Sequence, residues 1–436
     1  MNKNKLLLLF APLILLIAGL ALLQYTADKT PPLITFNLPA TIAPGEPLQL
    51  YIHSKNAGIA AFNIQAEQDN KKAQVIILEN KTVNNSQQIK FCIAESGSID
   101  GKITITANAQ DKSFNNFFKG NKSSESALTY LDKTAPSATF DIDEIEIKKG
   151  ESALVSFTVS EPVQAAKLSS GNVEFLLFNT AKNKFAAIIT LPHSSDTELF
   201  ALQLQLTDMV GNFSQTTVPL HKIDTVFRED EIKLNDAFIN KKALEFSQFA
   251  QNKPEPLALY VQVNNIERAK NYAFIAELCK TTAPVMLWSE AFTPIPNAVR
   301  RSNFADQRFY TYNNEIVDRQ VHLGLDYASV IHDRIPASNN GKVIFAGYLG
   351  IHGNMVLIDH GLGVHTMYSH LSEMFVTEGQ ELAKGQYIGL TGTTGMAGGD
   401  HLHFELLVNG ISVNPLPWFD ANWFNMHINN RLHKAF

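Results

Sequence analysis

The amino-acid sequence predicts a mainly β protein: two small β-sandwich modules in tandem, a short helical connector and a C-terminal antiparallel β domain. Three observations predict it. The segment DKTPPLITFNLPATIAPGEPLQLYI, starting at Asp28, is echoed by DKTAPSATFDIDEIEIKKGESALVSFTV, starting at Asp132. Apolar residues follow strand-like alternation up to about Val226, helical periods from there to Leu287, and alternation again after Trp288. Histidines then gather among glycine turns in the last part. A chain of 436 residues is too long for one core, at roughly 100 to 200 residues per domain. Its net charge of −6 offers no basic surface, which excludes nucleic acid as a partner.

Residues 1–27 read as an export segment. Lys3 and Lys5 precede an uncharged apolar run from Leu6 to Leu23, whose length nearly spans a hydrocarbon core of about 30 Å. A cleaved signal peptide is the competing reading. It needs a shorter apolar run and a small-x-small site, and here Ala27 is preceded two positions earlier by the bulky Tyr25. The expectation is a helix anchored in the inner (cytoplasmic) membrane, with the rest of the chain outside it in the cell envelope, periplasmic in a Gram-negative cell.

The two modules are expected over residues 28–131 and 132–225. Their Gly-Glu pairs, at Gly45 and Gly150, sit one small sandwich length apart, and short alternating runs such as KITITA, LVSFTV and FALQLQL are cut by Gly, Pro, Asn and Asp turns. The pattern resembles bacterial immunoglobulin-like repeats, which implies spacers without chemistry of their own. Cys92 and Cys279, the only cysteines, fall in different parts of the chain and read as two separate buried thiols.

The helical connector is expected over residues 226–287. NDAFINKKALEFSQFA and NNIERAKNYAFIAELC carry helical periods, with Ile266, Ala269, Ala273 and Ala276 on one stripe. Asn235 or Asp236, and Asn264 or Asn265, would cap the two helices. The stripes read as core; packing of this segment against the catalytic cleft is the open functional alternative. Residues 288–420 return to short strands, KVIFAG, NMVLIDHG, VHTMYSHL, QYIGLTG and HLHFELLV, and 421–436 form a C-terminal tail.

Three segments of the C-terminal domain carry chemistry: HLGLDYA from His322, MYSHLS from Met367 and HLHFEL from His401. On a strand, His401 and His403 point the same way about 6 to 7 Å apart, so one can bind a metal while the other faces water beside it. His322 and Asp326 offer an imidazole and a carboxylate from an extended or turning segment. Two histidines and a carboxylate match an open catalytic zinc site rather than a closed structural one, which would favour cysteine. Iron held by two histidines and a carboxylate fits the same spacing.

HxxxD, then YSHLS, then HLHFE resembles the lysostaphin-type, or LytM-like, zinc metallopeptidases, and PASNNGKVIFAG, GQYIGLTGTTG and VNP agree with it from about Phe292 to Pro417. The resemblance implies that His322, Asp326 and His403 bind Zn2+, that His370 and His401 flank the attacking water as catalytic histidines, and that the substrate is peptidoglycan. His401 is the first candidate for general base and His370 for orienting water or stabilising the oxyanion, with the reverse assignment open. NFADQRFY and GMAGGD depart from the family's usual loops, which affects substrate preference more than catalysis. His332, His352, His360 and His365 have no family role and read as structural or solvent-facing. The function expected is hydrolysis of peptide bonds in peptidoglycan stem peptides or cross-links; the alternative is a catalytically inactive LytM-like regulator of other wall hydrolases, which typically lacks zinc ligands.

Overall fold

The computed structural model describes residues 3–435 apart from 70, 97–98 and 251–253. The chain is mainly β and forms two compact units, residues 1–136 with 207–213, and residues 137–206 with 214–436.

In the first unit, strands Leu33–Asn37, Leu48–His53, Ser86–Ile93 and Val75–Val83 form one sheet, and Thr41–Ile42, Lys122–Leu131, Gly101–Asp111, Ile59–Gln68 and Lys71–Ala73 the other. Alternate residues turn inward, so Leu48, Leu50 and Ile52 of one sheet meet Ile103, Ile105 and Ala107 of the other in a single core. Cys92 and Cys279 are both buried and unpaired.

The helix Lys3–Thr26 corrects the expectation of a membrane anchor. Pro12 lies inside it, and no helix among the described residues is long and apolar enough to cross a membrane. Beyond Pro12 the helix rises about 22 Å, short of a hydrocarbon core of about 30 Å. Its end is held by protein instead: Gln24 donates to Asn115 Oδ1 at 3.0 Å and accepts from the Phe117 amide at 2.8 Å. The envelope and periplasmic placement that rested on the anchor falls with it. Lys3 and Lys5, invoked for its orientation, lie outside the residues whose side chains are described.

In the second unit, Ala138–Phe140, Ser152–Val159, Lys184–Thr190 and Phe178–Ala181 form one sheet of the second sandwich. Ser152–Val159 is buried at every position but one, which a sheet with one wet face does not show. The cause is the C-terminal domain: Leu154, Ala186 and Ile188 share a core with Trp288, Phe292, Leu362 and Trp418. Trp418 Nε1 donates to Ser152 Oγ at 3.0 Å and Asn409 Nδ2 to the Ile188 carbonyl at 2.8 Å. This sandwich is therefore a wall of the domain it precedes, more than the expected spacer.

The connector departs from the expected pattern in three places. It opens with a strand, Glu229–Lys233, parallel to Asp306–Tyr312. Asn235 caps the helix Asp236–Glu245 by accepting from the Phe238 amide, as expected. The second helix, however, starts at Pro256 rather than at an asparagine cap, and Val263–Glu267 form a π turn inside it before Arg268–Leu278. The extra residue of a π turn rotates everything after it, so Ile266, Ala269 and Ala273 face outward. Asn264, Glu267, Asn271, Ile275 and Cys279 are buried instead.

The C-terminal domain is built on an antiparallel sheet in the order Val299–Ser302, Leu325–Ala328, Leu402–Val408, Val364–Leu371, Asn354–Asp359, Gly341–Tyr348 and Glu381–Leu382. Val364–Leu371, at its middle, is buried at all eight positions. His360 sits in this core with both nitrogens engaged: Nδ1–H donates to the Asn340 carbonyl at 2.6 Å, and Nε2 pairs with Thr366 Oγ1 at 2.7 Å. Burial pushes its pKa down to about 4 from the usual 6.5. The unfolded chain therefore binds this proton between pH 6.5 and 4 and the folded chain does not. Stability is expected to be full above pH 6.5 and to fall by on the order of 3 kcal/mol toward pH 4 from this residue alone. Denaturant unfolding at pH 7 and 4.5 checks this: His360→Asn should show a clearly smaller loss between the two pH values, and an unchanged loss would refute it.

Candidate metal centre

The site forms where two adjacent antiparallel strands bring Asp326 directly opposite His403. His322 ends the strand Glu315–His322, and the chain reverses through Gly324 into Leu325–Ala328. A Cβ on Gly324 would lie 2.4 Å from the Phe404 carbonyl and 2.8 Å from the His403 ring, so only glycine lets His322 and Asp326 close over His403. His322 Nε2 stands 3.0 Å from Asp326 Oδ1 and 2.9 Å from His403 Nδ1, and His403 Nδ1 stands 2.9 Å from Asp326 Oδ1.

The outer partners decide what these three atoms offer. His322 Nδ1 faces the Asn303 carbonyl at 2.8 Å and His403 Nε2 faces Glu405 Oε1 at 2.8 Å, both acceptors, so both of these nitrogens carry hydrogen. The lone pairs of His322 Nε2 and His403 Nδ1 are then aimed with Asp326 Oδ1 at one point. Three acceptors facing each other with no donor repel unless a positive charge lies between them. Burial pushes the His322 pKa down, keeping it neutral. Burial works to raise the Asp326 carboxyl, but attraction to His322 and bonds from His322, His401 and His403 hold it well below the usual carboxylate range. At His403 burial is outweighed by Asp326 and Glu405, which lift the imidazole to about 9. The cluster thus demands a proton or a cation at its centre. Two imidazoles and a carboxylate converging from one side are the ligand set of an open zinc site, and the residues fit that metal.

His370 and His401 flank the cluster, their rings 4.9 Å apart. His401 Nδ1–H donates to the Gly399 carbonyl at 2.8 Å, leaving Nε2 3.5 Å from Asp326 Oδ1. His370 is held at φ 69°, a conformation uncommon for a side-chain-bearing residue, at the irregular end of its strand. Its Nδ1–H donates to the Thr394 carbonyl at 2.8 Å. Burial and the neighbouring imidazoles of His401 and His403 push its pKa well below the usual value, so it stays neutral with Nε2 as an acceptor. All five residues singled out in the sequence are brought together.

Other residues at this site carry no motif signal. The cleft, of about 240 Å³, is also lined by Phe238, Tyr260, Arg268 and Tyr272 of the connector, so the reading that placed this segment against the cleft is the one the geometry matches. Arg308, from the departing NFADQRFY stretch, donates to the second oxygen of Asp326 at 2.8 Å. His352, read as structural or solvent-facing, is buried and lines the cleft, its ring 6.4 Å from that of His403. His360 and His365 are core residues and His332 is exposed.

A fold of this kind, with a His–Asp–His centre and two tied imidazoles, defines the class. Residues 320–415 match the family model of Peptidase family M23, and the C-terminal domain of this chain belongs to that family. Over 97 residues the chain is 42% identical to the DD-carboxypeptidase/endopeptidase Mpg of Neisseria meningitidis serogroup B, covering 22% of each protein. Over 115 residues it is 38% identical to the peptidoglycan DD-endopeptidase ShyA of Vibrio cholerae serotype O1, covering 26% of each. The chain thus spans about a quarter of the length of these relatives. It is also similar to the catalytic domain of lysostaphin from Staphylococcus simulans, with 28% identity and a TM-score of 0.25, over 28% of this chain and 92% of that one.

Proposed function

We propose that this chain is a zinc-dependent endopeptidase that hydrolyses peptide bonds in the stem peptides or cross-links of peptidoglycan. The observation that carries the reading is the convergence of His322 Nε2, Asp326 Oδ1 and His403 Nδ1 within 3.0 Å of one another, beside two further imidazoles tied by their Nδ1 atoms. The relatives named for peptidoglycan and endopeptidase chemistry supply the substrate class.

His322, Asp326 and His403 would hold the metal. Zinc, once bound there, supplies Lewis acidity that acidifies water and polarises the scissile carbonyl. His401 is the general base: its Nδ1–H is committed to Gly399, so Nε2 takes the proton from the attacking water and returns one to the leaving amine. His370, neutral and protonated on Nδ1, presents only an acceptor and orients that water. Of the two roles weighed from sequence, water orientation fits this tautomer and oxyanion stabilisation does not. Arg308 holds the second oxygen of Asp326, fixing which one faces the centre.

Incubating purified sacculi with the zinc-loaded protein should release soluble muropeptides, and mass spectrometry of the products identifies the bond cut. Release by partner hydrolases only, with none by this protein alone, would favour the inactive-regulator reading.

A further inference from the structure

We propose that Tyr272 and Glu405 are positioning residues for the metal, and that the connector helix Arg268–Leu278 is thereby part of the metal site. The inference rests on the reading of His403 as a ligand. Neither residue was assigned a role by the sequence motifs, and Tyr272 lies outside residues 320–415, which match the family.

Glu405 lies two residues beyond His403 on the same strand and so on the same face. Its side chain is fully buried, and three donors converge on it: His403 Nε2–H and the Tyr272 hydroxyl each reach Oε1 at 2.8 Å, and the Ser412 hydroxyl reaches Oε2 at 2.6 Å. A carboxylate behind the ring fixes the tautomer, stops the imidazole turning and makes Nδ1 a better electron-pair donor toward the metal. Tyr272 holds the oxygen that His403 uses. A carboxylate only accepts, so the phenol must donate.

The helix that delivers Tyr272 is fastened to the domain at several points. Asn271 Oδ1 accepts from the Ile351 amide at 2.9 Å. Ile275 and Cys279 share a core with Met355, Leu357, Met367 and Leu407. Gly410, at the turn after the strand that bears His403 and Glu405, approaches so closely that a Cβ there would lie 3.1 Å from Ala276 Cα. A chain of two hydrogen bonds therefore runs from this docked helix to a metal ligand.

The test is zinc affinity, measured on the full chain by competition with a chromophoric chelator, with thermal unfolding of the metal-stripped protein alongside. Glu405→Gln should weaken zinc binding about 10- to 100-fold, the usual effect of losing an outer partner of a ligand. Tyr272→Phe, which removes a single hydroxyl, should weaken it by up to about tenfold while the metal-stripped protein melts as the wild type does. Because Tyr272 acts through Glu405, the double variant should bind zinc no more weakly than Glu405→Gln alone. Affinities of both single variants within twofold of wild type, or a double variant showing the full product of the two losses, would overturn the inference. If Glu405→Gln does not fold, Tyr272→Phe decides it alone. Absence of stoichiometric zinc on the wild-type chain would instead overturn the ligand assignment on which this one stands.

Discussion

His401→Ala is expected to keep its zinc and its fold and to lose at least about 100-fold in peptidoglycan cleavage, the lower end for removing a general acid or base. The expectation follows from the opposite demands on two histidines two residues apart. His403 is committed at both nitrogens, Nε2 to Glu405 and Nδ1 to the cluster. His401 is tied only at Nδ1, and its Nε2 faces the centre without being one of the three mutually contacting atoms. Metal content and turnover measured on the same preparation separate the roles. Near-normal muropeptide release by zinc-loaded His401→Ala would move the base role to His370.

His403→Ala and Asp326→Ala should each lose metal and activity together, since either change leaves two ligands where a catalytic zinc needs three. The two variants differ in what else they disturb. Asp326→Ala also strands the Arg308 guanidinium, and breaking a buried ion pair costs about 3 to 5 kcal/mol, so this variant should melt lower as well. Elemental analysis of both proteins after dialysis checks the ligand set, and full zinc occupancy in either would show that the ligands are misplaced.

The metal cluster was legible because its five residues sit in short motifs on strands, where a two-residue spacing decides which face a side chain takes. His401 and His403 needed only that rule, and Gly324 between His322 and Asp326 marked the close crossing that joins them to it. What could not be read lies in long-range packing. Tyr272 meets Glu405 across 133 positions, and the π turn at Val263–Glu267 rotates the helix so that an apparently apolar stripe faces water while Asn271 and Tyr272 face the domain. The repeat suggested two equivalent modules. Nothing in it marked the outer face of Ser152–Val159 as a surface to be covered by the C-terminal domain, although the unbroken apolar run LVSFTV was a trace of it. The anchor was misread for a simpler reason. Counting apolar residues from Leu6 to Leu23 gave a long enough segment, but Pro12 divides it.

The most direct test of a metal-dependent peptidase at this site is digestion of a purified cross-linked muropeptide dimer by protein stripped with a chelator and then given back one equivalent of zinc. The stripped protein should leave the dimer intact, and zinc should restore its conversion to monomers carrying a newly freed amine, with His403→Ala inert in both states. Cleavage that persists after stripping, or zinc-loaded wild-type protein that leaves the dimer whole, would contradict the account.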